Sequence, residues 1–388
     1  MTSPPGKDLA KSIPVTDDAP RHVTGSDPEV PVVPVKGPAQ VISLVPWLLG
    51  FQPGNADLVV IGTAAPRGRV TLTWRWDLPD PATPVLAVQA RHAVAALSVQ
   101  GCTKAVVIGF GLDRLVAPAI ALVREAATAV GLELGDLLRA DGGQYWSYLC
   151  TSPKCCPPEG TPYNPDANPV TAAFQAAGAP PPQASRDAVA ATIAPATGAE
   201  AASMNQAMRR ATVRACRLDQ RGNRPGRKAS QPPLAISGIR AVTAAIKAYR
   251  DGGTITSYEQ LAWLALTLAM PEVRDAAWLR MDPAYRHAHQ RLWTTLTRLA
   301  PPGHVTAPAV LLAFTAWQDG NGVLGNLTLD RAVVDSPADD TARVLRAALE
   351  SGAPPSLADP AAMIRQSRAL NDAIGPGPRT SLSLRPAP

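Results

Sequence analysis

The chain has 388 residues, 46% of them apolar and 18% charged, which is the material of a globular core and not the composition of a disordered chain. Its formal net charge of +6 is modest, and five cysteines are too few and too unevenly spread for the disulfide framework of a small secreted domain. Residues 1–30 lack the basic start and apolar run of a secretory signal, and the longest apolar stretches, 41–51 and 261–270, fall short of the about 18–20 residues that span a bilayer. A cytoplasmic protein without a membrane role is therefore expected.

Proline, with 41 residues, acts as punctuation. Residues 1–38 are Pro-rich and show neither helical nor strand period, so they are expected to form a disordered tail, as are residues 375–388. Residues 39–50 read as a short apolar helix closed by Gly50 and Pro53. The run 57–62 is short and wholly apolar, as a buried strand is. Residues 70–78 alternate, with Val70, Leu72, Trp74 and Trp76 on one face. Thr83 as N-cap and Pro84 at the first helical position open a helix that runs to about Gly101. A buried strand follows at 104–110, then a helix capped by Asp113 and ended by Gly131. Residues 132–140 and 144–150 read as two strands around the turn Asp141-Gly142-Gly143. This order predicts an α/β domain with a mixed sheet over 39–165.

Beyond Pro153 the helical period takes over, giving expected helices at 168–177, 185–194, 197–218, 237–250, 256–269, 271–280, 282–299, 305–319, 321–335, 338–351 and 359–373. The expected organisation is a helical connection at 166–218, a basic Pro/Gly-rich linker at 219–236 and an all-helical C-terminal domain at 237–374. Within it, the small and apolar positions of 309–337 match the spacing of one tetratricopeptide-like hairpin, without that pattern's aromatic residues; an ordinary antiparallel helix pair fits the same residues. Trp263, Trp278, Trp293 and Trp317 are expected in the helical core, and His287 and His289, two apart on a helix and unable to share a metal, at the surface.

The most distinctive segment is 139–163, RADGGQYWSYLCTSPKCCPPEGTPY, which concentrates three of the five cysteines around the hairpin. Its Trp146-Ser147-Tyr148-Leu149-Cys150 segment and Cys155-Cys156-Pro157-Pro158-Glu159-Gly160-Thr161-Pro162 loop resemble those of the mostly actinobacterial domain of unknown function 4192 family (DUF4192). The P-W-L-L-G-F, D-L-V-V-I-G and R-G-R-V-T-L-T-W-R-W-D-L-P stretches at 46–51, 57–62 and 67–79 resemble the same family, over roughly residues 39–352 in all. The family has no assigned activity, so the resemblance implies kinship and no reaction. The insertion around 219–233 is not taken as shared.

Chemically, Cys150, Cys155 and Cys156 offer three thiols in one turn-forming loop. Packing, a disulfide or redox pair, and a metal site are all open readings. Zinc is a possible cofactor but not the favoured one, because a closed site takes four ligands; His92, His304, Cys102 or Cys216 would complete it only if the fold brought them near. Gly109-Phe110-Gly111-Leu112-Asp113 follows a strand and opens a helix, where an anion can sit, yet it lacks the third glycine of a dinucleotide loop and fits a plain turn. Asp77, Asp113 and Asp141 fall near strand ends at one prospective sheet rim, close to Trp146, although capping and turn roles fit them as well.

No hydrolase, metalloprotease or nucleotide-loop motif is present, and whether the protein is an enzyme is left undecided. From Arg209 to Arg250 eleven Lys/Arg face one acid, Asp219, but without interleaved aromatics nucleic acid is not expected as a partner. The first expectation is an interaction or adaptor protein that meets a protein partner through its helical half. The alternative is an enzyme or small-ligand binder with a site at the sheet rim near the 150–156 loop.

Overall fold

The computed structural model describes residues 33–66, 68–80, 83–222 and 233–354. The helix expected at 359–373, the whole of the expected tail 375–388, residues 1–32 of the expected N-terminal tail and most of the expected linker lie outside the described residues. The chain divides into two compact units whose described parts are 33–189 with 351–354, and 190–350. The first is a mixed sheet with helices and the second is helical.

In the first unit, α1 (Pro38–Leu49) ends at Gly50, whose φ of 77° is the left-handed conformation that glycine adopts without penalty. Val33 and Val35, placed in the tail by sequence, are buried here. The strands β1 (Ala56–Ala64), β2 (Arg69–Asp77), β3 (Lys104–Gly111), β4 (Glu133–Asp141), β5 (Gln144–Ser147) and β6 (Thr161–Pro162) form one sheet in the order β2-β1-β3-β4-β5-β6. Pairing is antiparallel throughout except between β3 and β4. That parallel pair needs a crossover, which α3 (Asp113–Val130) supplies. The hairpin β4–β5 closes through Gly142 and Gly143 at φ 55° and 79°, the double left-handed geometry that two-residue hairpins favour.

Helices α2 (Val85–Val99) and α3 bury one sheet face: Leu58, Val60, Trp76, Val107 and Leu137 pack with Leu86, Val94, Leu97, Val116, Ile120 and Val123. The alternation of β2 is thereby explained, since Leu72, Trp74 and Trp76 all meet this core. Helix α2 starts at Val85 with Pro84 as its capping residue, one position later than expected, and Asp113 begins α3 without a side-chain cap bond. Strand β5 stops at Ser147, and β6 is too short to announce itself in sequence. Helix α4 (Pro169–Ala176) packs on α1, with Trp47 stacked on Phe174 at 4.8 Å. Helix α5 spans Arg186–Thr192.

The second unit holds α6 (Gly198–Gly222), α7 (Pro233–Arg250), α8 (Tyr258–Leu268), α9 (Pro271–Trp278), α10 (Arg286–Leu299), α11 (Thr306–Gln318), α12 (Gly322–Asp335) and α13 (Asp340–Glu350). Helix α6 runs past the expected boundary to Gly222 and α7 starts at Pro233, so the expected linker is shortened from both sides. Helix α11 is buried from Thr306 to Trp317, which makes it the central helix of this unit. All four tryptophans expected in the core are buried, and Trp278 stacks on Phe314 at 4.9 Å. His289 departs from expectation: it is 2% exposed, on the inner face of α10 with Leu292 and Leu296, and its Nε2 accepts the Asp282 N–H at 3.1 Å.

The N-terminus of α11 has no cap from its own chain segment. Asp335, at the end of α12, serves instead. Its carboxylate accepts from Gly303 N–H at 2.5 Å, Val305 N–H at 3.0 Å, Thr306 N–H at 2.9 Å and the Thr306 hydroxyl at 2.8 Å. These are donors that a helix start otherwise leaves unmade. Asp335→Ala is expected to destabilise the helical unit by about 2–3 kcal/mol, whereas Val334→Ala, at an 85% exposed neighbour, should stay within about 0.5 kcal/mol. Urea unfolding followed by tryptophan fluorescence measures both.

Candidate functional site

Strand polarity decides which side chains meet. Strands β2, β3 and β4 end at Asp77, Gly111 and Asp141, and antiparallel β1 starts at Ala56, directly opposite Gly111. Asp77, Gly111, Asp113 and Asp141 therefore share one rim.

The two glycines of the strand-to-helix turn answer to packing. Gly111 has a φ of 111°, and a Cβ there would lie 2.0 Å from the Asn55 carbonyl oxygen. A Cβ on Gly109 would lie 2.2 Å from Val116 of α3. Each position thus lets another chain segment come close.

At the same rim a residue that was not singled out by sequence, Arg139 of β4, gathers most of the expected group. Its side chain is 13% exposed, and its Nη1 donates to the Gly111 carbonyl at 3.3 Å. Asp113 and Asp141 flank it at 3.7 and 3.5 Å, and its guanidinium carbon lies 3.5 Å from the centre of the Trp146 ring. Tyr148 adds a hydroxyl bond to Asp113 at 2.6 Å, and burial together with that carboxylate raises its phenol above the ordinary range. Asp77 belongs to a second group. The register sets it opposite Asp57, a repulsive pairing of like charges, and Arg75 binds both carboxylates. Burial works against the charge of Arg75, but the bonds and fields of Asp57 and Asp77 together outweigh it and its pKa rises.

Trp146 links the rim to the cysteine loop. Its indole N–H donates to the Pro158 carbonyl at 2.9 Å, and Gly160, at φ 93°, lies so close to the ring that a Cβ would stand 2.7 Å from it. The loop is held further by Ser147, whose Oγ accepts from the Leu149 and Cys150 amides and donates to Asp136, and by Ser152, whose carbonyl accepts from the Cys155 and Cys156 amides at 3.2 and 2.9 Å. Burial raises the Asp136 carboxyl above its ordinary pKa.

The outcome is three sulfur atoms within 4.8 Å of one another, with Cys150 Sγ 2.9 Å from Cys155 Sγ. All five cysteines are free thiols. Hydrogen bonds from Cys155 and Cys156 draw the Cys150 thiol below its ordinary range, while burial and the neighbouring thiols push Cys156 up to about 12. Among the described residues of the α/β unit neither His92 nor Cys102 joins this group, and His304 and Cys216 belong to the helical unit. Cys102 is buried, with its pKa raised by burial, and the His92 ring lies 5.2 Å from that of Trp74.

The helical unit carries a different feature. Between α6 and α7 lies an open groove of about 660 Å³, lined by Arg209, Arg210, Arg214 and Arg217 with Val213 and Leu218 among them. It sits opposite the buried stripe of α6, formed by Met204, Ala207, Met208, Ala211 and Ala215. Arg214 stacks at 4.0 Å over buried Trp263 of α8, and Arg210 pairs with Glu259 at 2.7 Å. In the α/β unit, a cavity of about 160 Å³ lined by Pro46, Trp47 and Asp166 includes none of the rim carboxylates.

The segments that build the rim, the loop and the groove all fall within residues 38–356, which match the family described as a domain of unknown function, DUF4192. The chain belongs to that family. No curated protein and no solved structure matches it. Among the described residues of this DUF4192 chain, no helix is long and apolar enough to cross a membrane.

The electrostatics of the loop order the reactivity of its thiols, because the thiolate is the nucleophile. Iodoacetamide is expected to modify Cys150 with a midpoint pH below that of an ordinary thiol, and Cys156 only at strongly alkaline pH. Peptide mass spectrometry across about pH 6 to 10 reads the order. Alkylation of Cys156 ahead of Cys150 contradicts it.

Proposed function

We propose that this chain works as an interaction protein whose helical unit takes an acidic, amphipathic segment of a partner protein along α6. The arginine-lined groove between α6 and α7 is the observation that carries this reading. Arginines at 210, 214 and 217 recur at the three- and four-residue spacing that keeps them on one face of a helix, so their charges run along the groove. Partner carboxylates at the same spacing would match them: among the described residues Arg214 and Arg217 pair with no carboxylate of their own unit, and Arg210 would share itself with Glu259.

Val213 and Leu218 place apolar surface among those charges, and Val213 is 50% exposed. An amphipathic peptide covers such a surface, whereas a phosphate backbone gains nothing from it. The ring nearest the arginines, Trp263, is buried beneath Arg214 and offers no free face for stacking a base. A protein partner is therefore favoured over nucleic acid.

The tetratricopeptide-like reading of 309–337 contributes little to this proposal. Helices α11 and α12 do pack as a pair, but α11 is enclosed and cannot present a concave face. The rival reading, a small-ligand or catalytic site at the sheet rim, has less support. Asp113 and Asp141 are held by Arg139, and Asp77 by Arg75, an arrangement that suits a braced scaffold.

Fluorescence anisotropy with a labelled acidic amphipathic helix and a single-stranded oligonucleotide of equal charge tests the proposal. The peptide is expected to bind, and the double variant R209E/R217E to weaken it by at least about tenfold, or about 1.4 kcal/mol. Preference for the oligonucleotide, with affinity falling steeply between about 50 and about 200 mM salt, would replace the protein partner by nucleic acid. Binding of neither probe removes the reading.

A further inference from the structure

The thiol loop of the α/β unit has no part in the proposal for the helical unit, and it admits its own conclusion. An isolated buried cysteine is accounted for as a small apolar side chain, and Cys102, 7% exposed in the core, is such a case. Cys150, Cys155 and Cys156 are not. Cys155 is exposed and the other two are only partly covered, so packing gives no reason for three thiols to converge. A redox pair accounts for two sulfurs and leaves the third unexplained.

Convergence of all three has a direct chemical use. In a tetrahedral zinc site with Zn–S bonds of about 2.3 Å, sulfurs stand about 3.8 Å apart. The three Sγ atoms all lie within 4.8 Å of one another, so small rotations of the side chains bring them to that spacing.

The surrounding loop is organised before any ion arrives. Ser152 ties the Cys155 and Cys156 amides to one carbonyl, Ser147 holds the Cys150 amide, and Trp146 and Gly160 pin the far side. Such bracing keeps ligands in place at low entropic cost. We propose that Cys150, Cys155 and Cys156 form a binding site for a thiophilic divalent cation of the zinc class. The three thiolates are its protein ligands and a solvent molecule takes the fourth position, on the exposed side marked by Cys155. Binding releases the thiol protons to solvent, and no electron is transferred.

The test uses the full chain, reduced and stripped with a chelator, and cobalt(II) as a spectroscopic probe followed by zinc(II). One cobalt per chain is expected, with a thiolate-to-metal charge-transfer band in the near ultraviolet that zinc abolishes. A thiol reagent should label Cys150 and Cys155 in the stripped chain, and zinc should abolish that labelling while leaving the labelling of Cys216 unchanged, as peptide mapping reads. C150S and C156S are expected to lose the band, and C216S to keep it, with circular dichroism confirming that each variant is folded.

The protection map needs no variant and so stands even if one fails to fold. Labelling of Cys150 and Cys155 that micromolar zinc leaves unchanged, protection of Cys216 instead, or ready air oxidation that links Cys150 to Cys155 and prevents cobalt uptake would each overturn the site.

Discussion

A guanidinium that is nearly enclosed draws its counter-charges from within the protein, and Arg139 draws on four separate segments: the end of β3, the start of α3, the β4–β5 turn and the ring of Trp146, although its Nε has no hydrogen-bond partner among the described residues. Much of the α/β unit's working geometry follows from those contacts. The carbonyl of Gly111 faces Arg139 because the backbone turns there in a conformation that only glycine takes easily, with Asn55 crossing close behind it. Trp146, fixed by the guanidinium on one side, holds Pro158 and packs on Gly160 on the other. The cysteine loop thus inherits its shape from an ion-paired arginine two links away.

This arrangement separates two jobs that the residue types alone leave confounded. Carboxylates at the carboxyl ends of strands often hold ligands, yet here they neutralise buried or half-buried arginines. Asp57 and Asp77, opposed across β1 and β2, tolerate each other because Arg75 bonds both. The rim is braced by these pairs, and the chemically unusual groups sit beyond it on a loop, as is common where a rigid sheet carries a variable site.

The helical unit is built on the opposite principle. Its centre, α11, is buried from Thr306 to Trp317, and the helix start, which lacks a cap from its own segment, is closed by a carboxylate from the end of α12. Charge is pushed to the outside, most densely on α6, where the buried stripe of small residues and methionine faces inward and the arginines face out. Part of that charge is answered within the unit, where Glu259 pairs with Arg210.

Local sequence pattern was enough to determine the architecture. Short apolar runs, the alternation of β2 and the cap and turn residues up to the hairpin, and period 3.6 after it, placed the strands β1 to β5 and the described helices α1 to α13 close to where they occur, because each is a local property of the chain. The four core tryptophans were legible for the same reason. The turn at Gly142-Gly143 and the cap at Gly50 were legible because positive φ selects glycine. What sequence left open is what depends on partners far apart in the chain. Whether Asp113 caps a helix or serves Arg139, whether His289 lies inside or outside, and whether three cysteines at 150, 155 and 156 point together or apart are decided by register and by loop closure. Those are set only once strands pair and helices pack, since electrostatic and hydrogen-bond partners are chosen by distance in space and not along the chain.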